Sequence, residues 1–319
     1  MGFCDWPRER IGYYLYQSRL SFKRLPVTHK PATKFMRIVF VLDYFYEEVK
    51  GGAELTLQSH IDTCPFPLVR VKSEKFKPSM LRKDDFVVFG NFDKLNKAIL
   101  PEMVKYRYVV EECDYKFCVY RSSHLHRLMT GKDCDCHKSY SKPIVDFFLG
   151  ARHLFWKSIR QAEEYYKRFP ELKEKPSSVM GGVFTEKQLD FILSLKSIVP
   201  DDLYFILKSK SWIKGNKESL LYCIKNRLPF REVGDLPYEQ SLRLMAQSKG
   251  IVYLPNGFDC SCRMITEMKL LGREIITNDN IQHMTEDWFN SGEAGMIEWL
   301  KSRNKVFWKK VNEAIDCPA

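Results

Sequence analysis

The sequence has no long uncharged apolar run, since no window approaches the roughly 18 residues that a transmembrane helix needs. The start, MGFCDWPRERIGYYLY, has scattered charges where a secretory signal has its apolar core. Its sixth residue is Trp6, where an N-myristoylation signal has Ser or Thr. Internal repeats and low-complexity tracts are absent as well. These absences predict a soluble protein of the cytoplasm.

The chain is large enough to fold without disulfides. The chain has 319 residues, 45% of them hydrophobic, which is enough to bury one large core or two ordinary ones. Small secreted domains use disulfides because they lack such cores. The ten cysteines are therefore interpreted mostly as reduced thiols of an intracellular protein.

The charge is strongly basic, with a formal net charge of +11. Residues 1–35 alone carry seven Lys or Arg against Asp5 and Glu9. Such a balance favours an anionic partner: nucleic acid, a phosphorylated ligand or an acidic membrane surface. The alternative is that the basic balance only aids solubility.

Strand and helix patterns alternate in two series. The first has the apolar runs MRIVFVLD, FPLVRV, DDFVVFG and YRYVV, and the second has DLYFIL, FREVG, IVYLP and REIITND. Alternation of this kind produces parallel sheets with helices on both faces. The prediction is an α/β fold of two Rossmann-like domains whose parallel sheets face a central cleft.

The same patterns suggest the domain boundaries. Residues 1–35 are a basic extension, 36–184 a first domain with a Cys/His-rich insertion at 113–137, and 185–303 a second domain. Residues 304–319 continue a helical pattern that we expect to pack back on the first domain.

Two acids flank the predicted start of a helix in YLPNGFDCSCRMITEMKLLG. Open α/β sheets bind ligands at the carboxyl ends of their strands, where helix N-termini attract phosphate. We expect Asp259 in the loop to reach a transferred group and Glu267, one turn into the helix, to accept hydrogen bonds from ribose hydroxyls. The N–H groups that would face a diphosphate belong to Arg263, Met264 and Ile265. The alternative is a loop aspartate and a glutamate that complements the helix dipole.

The stretch from Leu236 to Asp279 resembles the C-terminal signature of GT-B glycosyltransferases, especially the retaining family 4 (group 1). That signature is a proline-led helix, a strand ending in Pro, an acid, seven residues, Glu, and a helix ending in Gly. The first acid is usually Glu and here is Asp259, and CSCRMIT replaces a glycine-rich piece. The resemblance covers roughly residues 36–300.

Two further segments resemble these enzymes. In VLDYFYEEVKGGAELTL, Gly51 and Gly52 match the glycines that let backbone approach the donor phosphates. In YFILKSKSWIKGNKESLL, Lys214 matches the lysine of a basic pair that clamps the diphosphate. The partner arginine is replaced by Ser209, and the flanking Lys210 is assigned with Lys214 to the phosphates.

The resemblance implies a retaining enzyme that transfers a sugar from a nucleotide-sugar donor, with a UDP-sugar expected, to an acceptor hydroxyl. It requires no catalytic metal, because helix N-termini and cations stabilise the leaving group. Asp259 would position sugar hydroxyls without acting as a nucleophile. Asp114, in VVEECDYKF, stands near where these enzymes often have an active-site His or Asp. The alternative for Asp114 is an ordinary polar residue at a strand end.

One region does not follow from the resemblance: CDYKFCVYRSSHLHRLMTGKDCDCHKS. It contains thiols and imidazoles that could hold a structural zinc ion, and the ligands we select are Cys118, His126, Cys134 and Cys136. Its spacing lacks a CxxC pair, so the alternative is free intracellular thiols and surface histidines.

The acceptor is left open by the resemblance. The basic balance suits DNA, with a hydroxymethylated base flipped out of the duplex to be glycosylated. The aromatic residues of the N-terminal extension fit base stacking, and they fit ordinary packing at least as well. The lack of a basic amphipathic helix of the membrane-surface kind favours DNA. A cell-surface or lipid-linked glycan is the alternative acceptor. A third interpretation is a non-catalytic, zinc- and nucleic-acid-binding protein built on a GT-B frame.

Overall fold

Residues 36–317 are described by the structure, a computed structural model. They contain two separate parallel β-sheets, each with helices packed against its faces. The basic extension predicted at residues 1–35 lies outside the described residues.

The first sheet has the strand order β2-β1-β3-β4-β5-β6. Its strands are β1 (Ile38–Leu42), β2 (Leu68–Lys72), β3 (Phe86–Phe89), β4 (Tyr108–Glu111), β5 (Leu154–Trp156) and β6 (Ser177–Val179). Every residue of β1, β3 and β4 is buried. Continuous apolar runs such as IVFVL and FVVF suit strands that are covered on both faces, which explains the parallel pairing.

The second sheet has the order β10-β9-β7-β8. Its strands are β7 (Tyr204–Leu207), β8 (Phe230–Val233), β9 (Gly250–Tyr253) and β10 (Glu274–Thr277). In each sheet the first strand in sequence is an inner strand, and the next two strands in sequence pair with its opposite sides. The loops that leave the carboxyl ends at this switch point therefore diverge and leave room for a ligand.

The helices connect successive strands, as the sequence pattern predicts. With the first sheet are α1 (Gly52–Asp62), α2 (Leu100–Met103), α3 (Ser123–Thr130), α4 (Lys142–Gly150) and α5 (Ile159–Arg168). With the second are α6 (Glu186–Ser194), α7 (Asn216–Lys225), α8 (Tyr238–Gln247), α9 (Arg263–Leu270) and α10 (Asp287–Asn290). The chain ends with the long helix α11 (Gly292–Asp316).

Helix α11 spans both cores. Met296 and Leu300, in its first half, belong to the apolar cluster of the second sheet. Phe307 and Val311, in its second half, belong to a cluster that covers the first sheet. The aromatic ring of Phe307 lies 4.6 Å from that of Phe155 in β5. The segment predicted to pack back on the first region is thus the end of a helix that begins earlier, at Gly292.

The α/β fold with two parallel sheets is confirmed, and each strand expected from an apolar run is present. Strand β5, which the sequence patterns did not identify, has only three residues between His153 and Lys157. Among the helices of residues 36–317, none has the length and apolarity needed to cross a bilayer.

Candidate functional site

A cleft of about 710 Å³ opens between the carboxyl ends of the two sheets. Gly51 and Gly52, at the start of α1, line it from the side of the first sheet. The loops after β7, β8 and β9 line it from the other side. The first turn of α9 forms part of the same wall, and Glu267 lies one turn further along.

A lysine–aspartate pair stands on the wall of the second sheet. Lys214 Nζ donates to Asp259 Oδ2 over 2.9 Å, and the Tyr253 hydroxyl donates to the same oxygen over 2.7 Å. Burial would raise the pKa of Asp259, but the charge of Lys214 and both hydrogen bonds outweigh it and lower that pKa. Asp259 is therefore a carboxylate at neutral pH, with its other oxygen free of these two donors.

Gly215 places Lys214 in this position. It has φ +58°, and a Cβ on it would lie 1.8 Å from the Leu254 carbonyl oxygen. Only glycine fits where the backbone both turns left-handed and approaches a neighbouring strand end this closely. The loop after β7 can thereby lie directly on the end of β9.

Glu267 is buried beside two donors. The Tyr238 hydroxyl donates to its Oε1 over 2.6 Å, and Arg263 Nε lies 3.5 Å from the same oxygen. Burial raises the pKa of Glu267, although Arg263 and Tyr238 work in the opposite direction. The carboxyl group lines the cleft, so its remaining oxygen can accept a ligand hydroxyl.

The Arg263 side chain joins the two halves of the cleft. Its guanidinium lies 3.8 Å from the ring centre of Phe184 and donates to the Val183 carbonyl oxygen. A Cβ on Gly52 would lie 3.8 Å from the Arg263 Cδ, an ordinary contact distance, so α1 begins directly beside this side chain. Arg263 thus holds the start of α9 against the segment that joins the two sheets.

The first turn of α9 presents backbone donors. The first N–H groups of a helix have no acceptor within the helix and attract anions. Cys262, immediately before α9, does not cap them with its side chain in the described structure. Arg263 and Met264 line the cleft, whereas the Ile265 side chain is buried in the core of the second sheet. Ile265 can contribute only its backbone N–H group.

Two predicted residues are placed away from the cleft lining. Lys210 is exposed and does not line the cleft, whereas Lys208 does. Asp114 forms ion pairs with Lys116, at 3.1 Å, and with Arg121. Burial opposes ionisation of Asp114, but these cations lower its pKa well below the usual range. Its charge is balanced within the first sheet's own loops.

The sequence patterns missed Lys157, Cys113 and Tyr238, which also line the cleft. Lys157 follows β5, and its ammonium group donates to the buried carboxylate of Glu111 at the end of β4. Burial would raise the pKa of Glu111, but Lys157 and His60 lower it to about 2. A lysine directly after the apolar run LFW was the available sequence signal.

The Cys/His-rich segment forms its own cluster away from the cleft. One ligand atom from each of Cys118, His126, Cys134 and Cys136 lies within 4.8 Å of the others. These are the four residues selected from the sequence, and the arrangement can accept one metal ion.

Comparison with known proteins identifies the fold. No protein-family model matches this chain, and no curated protein sequence is recognisably similar to it. Among solved structures, AviGT4, a glycosyltransferase involved in avilamycin A biosynthesis, is 8% identical over 88% of this chain and 98% of its own, with a TM-score of 0.52. A trehalose-6-phosphate synthase studied with bisubstrate glycomimetics is 7% identical over 87% of this chain and 95% of its own, with a TM-score of 0.52.

A trehalose-6-phosphate structure from E. coli with bound UDP-2-fluoro glucose is 9% identical over 88% of this chain and 97% of its own, with a TM-score of 0.50. At such identities the similarity establishes the fold alone. The two parallel sheets and the cleft between them match the GT-B fold of glycosyltransferases.

Proposed function

We propose that this chain is a glycosyltransferase that transfers a sugar from a nucleotide-sugar donor to an acceptor hydroxyl, with a UDP-sugar as the expected donor. The observation that carries the proposal is the wall of the cleft on the second sheet. There the Lys214–Asp259 pair, the start of α9 and Glu267 all line one cavity. Such a wall offers a cation and free N–H groups to a diphosphate, and carboxylates to hydroxyl groups.

Lys214 and the first turn of α9 have the charge that the leaving group needs. When the bond between the sugar and the diphosphate breaks, negative charge grows on the phosphate oxygens. A positioned lysine and oriented N–H groups stabilise that charge more in the transition state than in the bound donor. In this proposal the chain's own groups, including backbone at Gly51 and Gly52, cradle the diphosphate.

The two carboxylates have different roles in this proposal. Glu267 accepts hydrogen bonds from the ribose, with Tyr238 and Arg263 fixing its orientation. Asp259 stays ionised beside Lys214 and accepts hydrogen bonds from the transferred sugar. It positions the sugar and does not form a covalent bond, in line with the sequence resemblance to retaining GT-B enzymes of family 4.

The acceptor part of the proposal rests on charge. The net charge of +11 suits a polyanion, so we propose a hydroxymethylated base in DNA ahead of a glycan. No separate observation in the cleft favours the glycan or the non-catalytic alternative, so both become outcomes of the test.

The test incubates the protein with UDP-, GDP- and ADP-sugars, with and without hydroxymethylated DNA, and measures nucleotide release. Release that requires both a UDP-sugar and the modified DNA is the expected result. Glu267→Gln keeps the size of the side chain and removes its charge, so it should weaken donor binding. Glu293→Gln, on the exposed start of α11, is the matched control.

The other outcomes separate the parts of the proposal. Release that is independent of DNA would overturn the DNA acceptor and retain the glycosyltransferase. Absence of release with each donor and acceptor, in protein that binds DNA, would overturn the enzyme in favour of a nucleic-acid-binding protein.

A further inference from the structure

We propose that Cys118, His126, Cys134 and Cys136 bind a structural zinc ion that holds the segment 118–141 against the turn preceding Asp259. The inference does not depend on the proposed activity. It rests on the distances between the four side chains, on the way the chain folds to bring them together, and on the contacts of the segment they enclose.

The distances fit tetrahedral zinc. His126 Nδ1 lies 3.5 Å from Cys118 Sγ and 3.5 Å from Cys136 Sγ. Zn–S bonds of about 2.3 Å and Zn–N bonds of about 2.0 Å at the tetrahedral angle put S and N about 3.5 Å apart. Cys134 supplies the third thiol, within 4.8 Å of the other ligand atoms.

Thiol–imidazole hydrogen bonds explain the cluster less well. A neutral imidazole nitrogen has a single lone pair and accepts from one donor, yet two sulfur atoms approach Nδ1 equally. A metal ion bonded to three thiolates and one imidazole accounts for all four ligands. The other ring nitrogen of His126, Nε2, lies 3.9 Å from Asp135 Oδ1. Carboxylates commonly orient a zinc-bound histidine from this side.

A helix cap, a left-handed turn and a hydrogen bond at the base of the segment bring the ligands together. Ser122 caps α3, which carries His126, and α3 ends at Gly131 with φ +69°. This left-handed turn reverses the chain so that Cys134 and Cys136 return to the helix. At the base of the segment, the Ser141 hydroxyl donates to the Phe117 carbonyl oxygen over 2.7 Å.

The segment needs a linkage because it has little regular structure. Of α3, only His126 is buried, while Leu128 and Met129 are exposed. A stretch this short cannot bury enough apolar surface to be ordered by itself, and zinc sites commonly supply the missing stability. Cys118 and Cys136 belong to the apolar cluster of the first sheet, and a metal ion bound to all four ligands would join the rest of the segment to that cluster.

The enclosed segment contacts the turn that precedes Asp259. The His124 ring lies edge-to-face on Phe258, with ring centres 4.5 Å apart. A Cβ on Gly257 would lie 3.3 Å from Ser122 Oγ and 3.5 Å from the Trp212 ring, so this turn is held between α3 and the loop that carries Lys214. Asp259 follows immediately. The zinc ion therefore supports the position of Asp259 from outside the cleft.

The first experiment measures metal content. Reduced full-length protein should contain, or take up on addition of Zn²⁺, one zinc ion per chain. Cys136→Ser should lose it, whereas Cys64→Ser should retain it, since Cys64 lies elsewhere and its hydrogen bond to the Phe66 carbonyl oxygen can be made by serine. Reduced wild-type protein that neither holds nor takes up zinc would overturn the proposal.

A second measurement uses wild-type protein and does not rely on variants that fold. Cobalt replacement should give tetrahedral bands together with thiolate-to-metal charge transfer, and octahedral bands without charge transfer would overturn the ligand set. Removal of the metal by a chelator should increase amide exchange in residues 118–141 and also in 256–259, with α7 unchanged as the internal control. Increased exchange confined to 118–141 would overturn the supporting role toward Asp259.

Discussion

Each sheet ends in a lysine–carboxylate pair, and the two pairs differ in burial. In the first sheet, Lys157 and Glu111 have side chains that are 6% and 0% exposed. In the second, Lys214 and Asp259 are 34% and 10% exposed and face the cleft. The chemistry is the same, so the surroundings decide the role. Lys157 also borders the cleft, but its pair with Glu111 is almost fully buried and holds strands together, whereas the more exposed Lys214–Asp259 pair can bind an anion.

The two carboxylates also differ in how far their contacts extend through the molecule. In the first sheet, Glu111 also has His60 Nε2 at 3.4 Å, and His60 Nδ1 lies 2.9 Å from Asn304 Oδ1 in α11. This chain of contacts connects β4 to α1 and to the C-terminal helix. In the second sheet, the contacts of Asp259 with Lys214 and Tyr253 stay within that sheet and its loops.

The largest expected effect is the loss of stability when Lys157 is removed. Lys157→Met leaves Glu111 as a buried carboxylate with only His60 nearby, and breaking a buried pair in this way costs about 3–5 kcal/mol in the free energy of unfolding. Urea denaturation at neutral pH measures it. Lys157→Met combined with Glu111→Gln should recover most of the loss, because no buried charge is then unpaired. A loss of less than about 1 kcal/mol in the single variant would contradict a structural role.

The matching change in the second sheet should affect activity more than stability. Lys214→Met removes a lysine that is 34% exposed and leaves Asp259 with the Tyr253 hydroxyl as a donor, so the free energy of unfolding should fall by less than in Lys157→Met. If Lys214 stabilises a leaving diphosphate, donor turnover should fall about 100- to 1,000-fold. Nucleotide release and urea denaturation on the same preparation separate the two effects. Unchanged turnover together with a large loss of stability would make this pair structural, like that of the first sheet.

Much of the fold could be predicted from the sequence because each buried strand is a continuous apolar run. In IVFVL, FVVF and YFIL, successive residues are buried, not only every second one, and helical patterns separate these runs. The short strand LFW was not predicted because three residues are too few to form a recognisable pattern. The fold class can therefore be predicted from the strands that are long enough for their apolar residues to reveal that they are buried.

The candidate site could be predicted where spacing around a helix start was joined by the resemblance to GT-B enzymes. Asp259 and Glu267 lie on either side of a helix start, and the helix geometry brings both to one cavity. Asp114 shows the limit of such reasoning, because neighbours distant from it in sequence or folded back on it, such as Arg121, decide whether a strand-end carboxylate is free. Lys157 shows the same limit, since its partner Glu111 comes from another strand.

The smallest expected effect is a pH dependence that has one source in each region. His153, before β5, and His283, after β10, are buried, and burial lowers the pKa of each to about 4. Unfolded histidine titrates near pH 6.5, so between about pH 6.5 and 4 the unfolded chain binds more protons and stability falls as the pH falls. His153→Gln keeps a group that can bond to the Ser178 hydroxyl, and it should flatten this decline by about 2 kcal/mol or less, as should His283→Gln.

Urea denaturation across that window measures the slope, with exposed His137→Gln as the control. A slope that only one of the two variants flattens would place the acid sensitivity in that variant's sheet, and a slope that neither changes would remove both imidazoles as its cause.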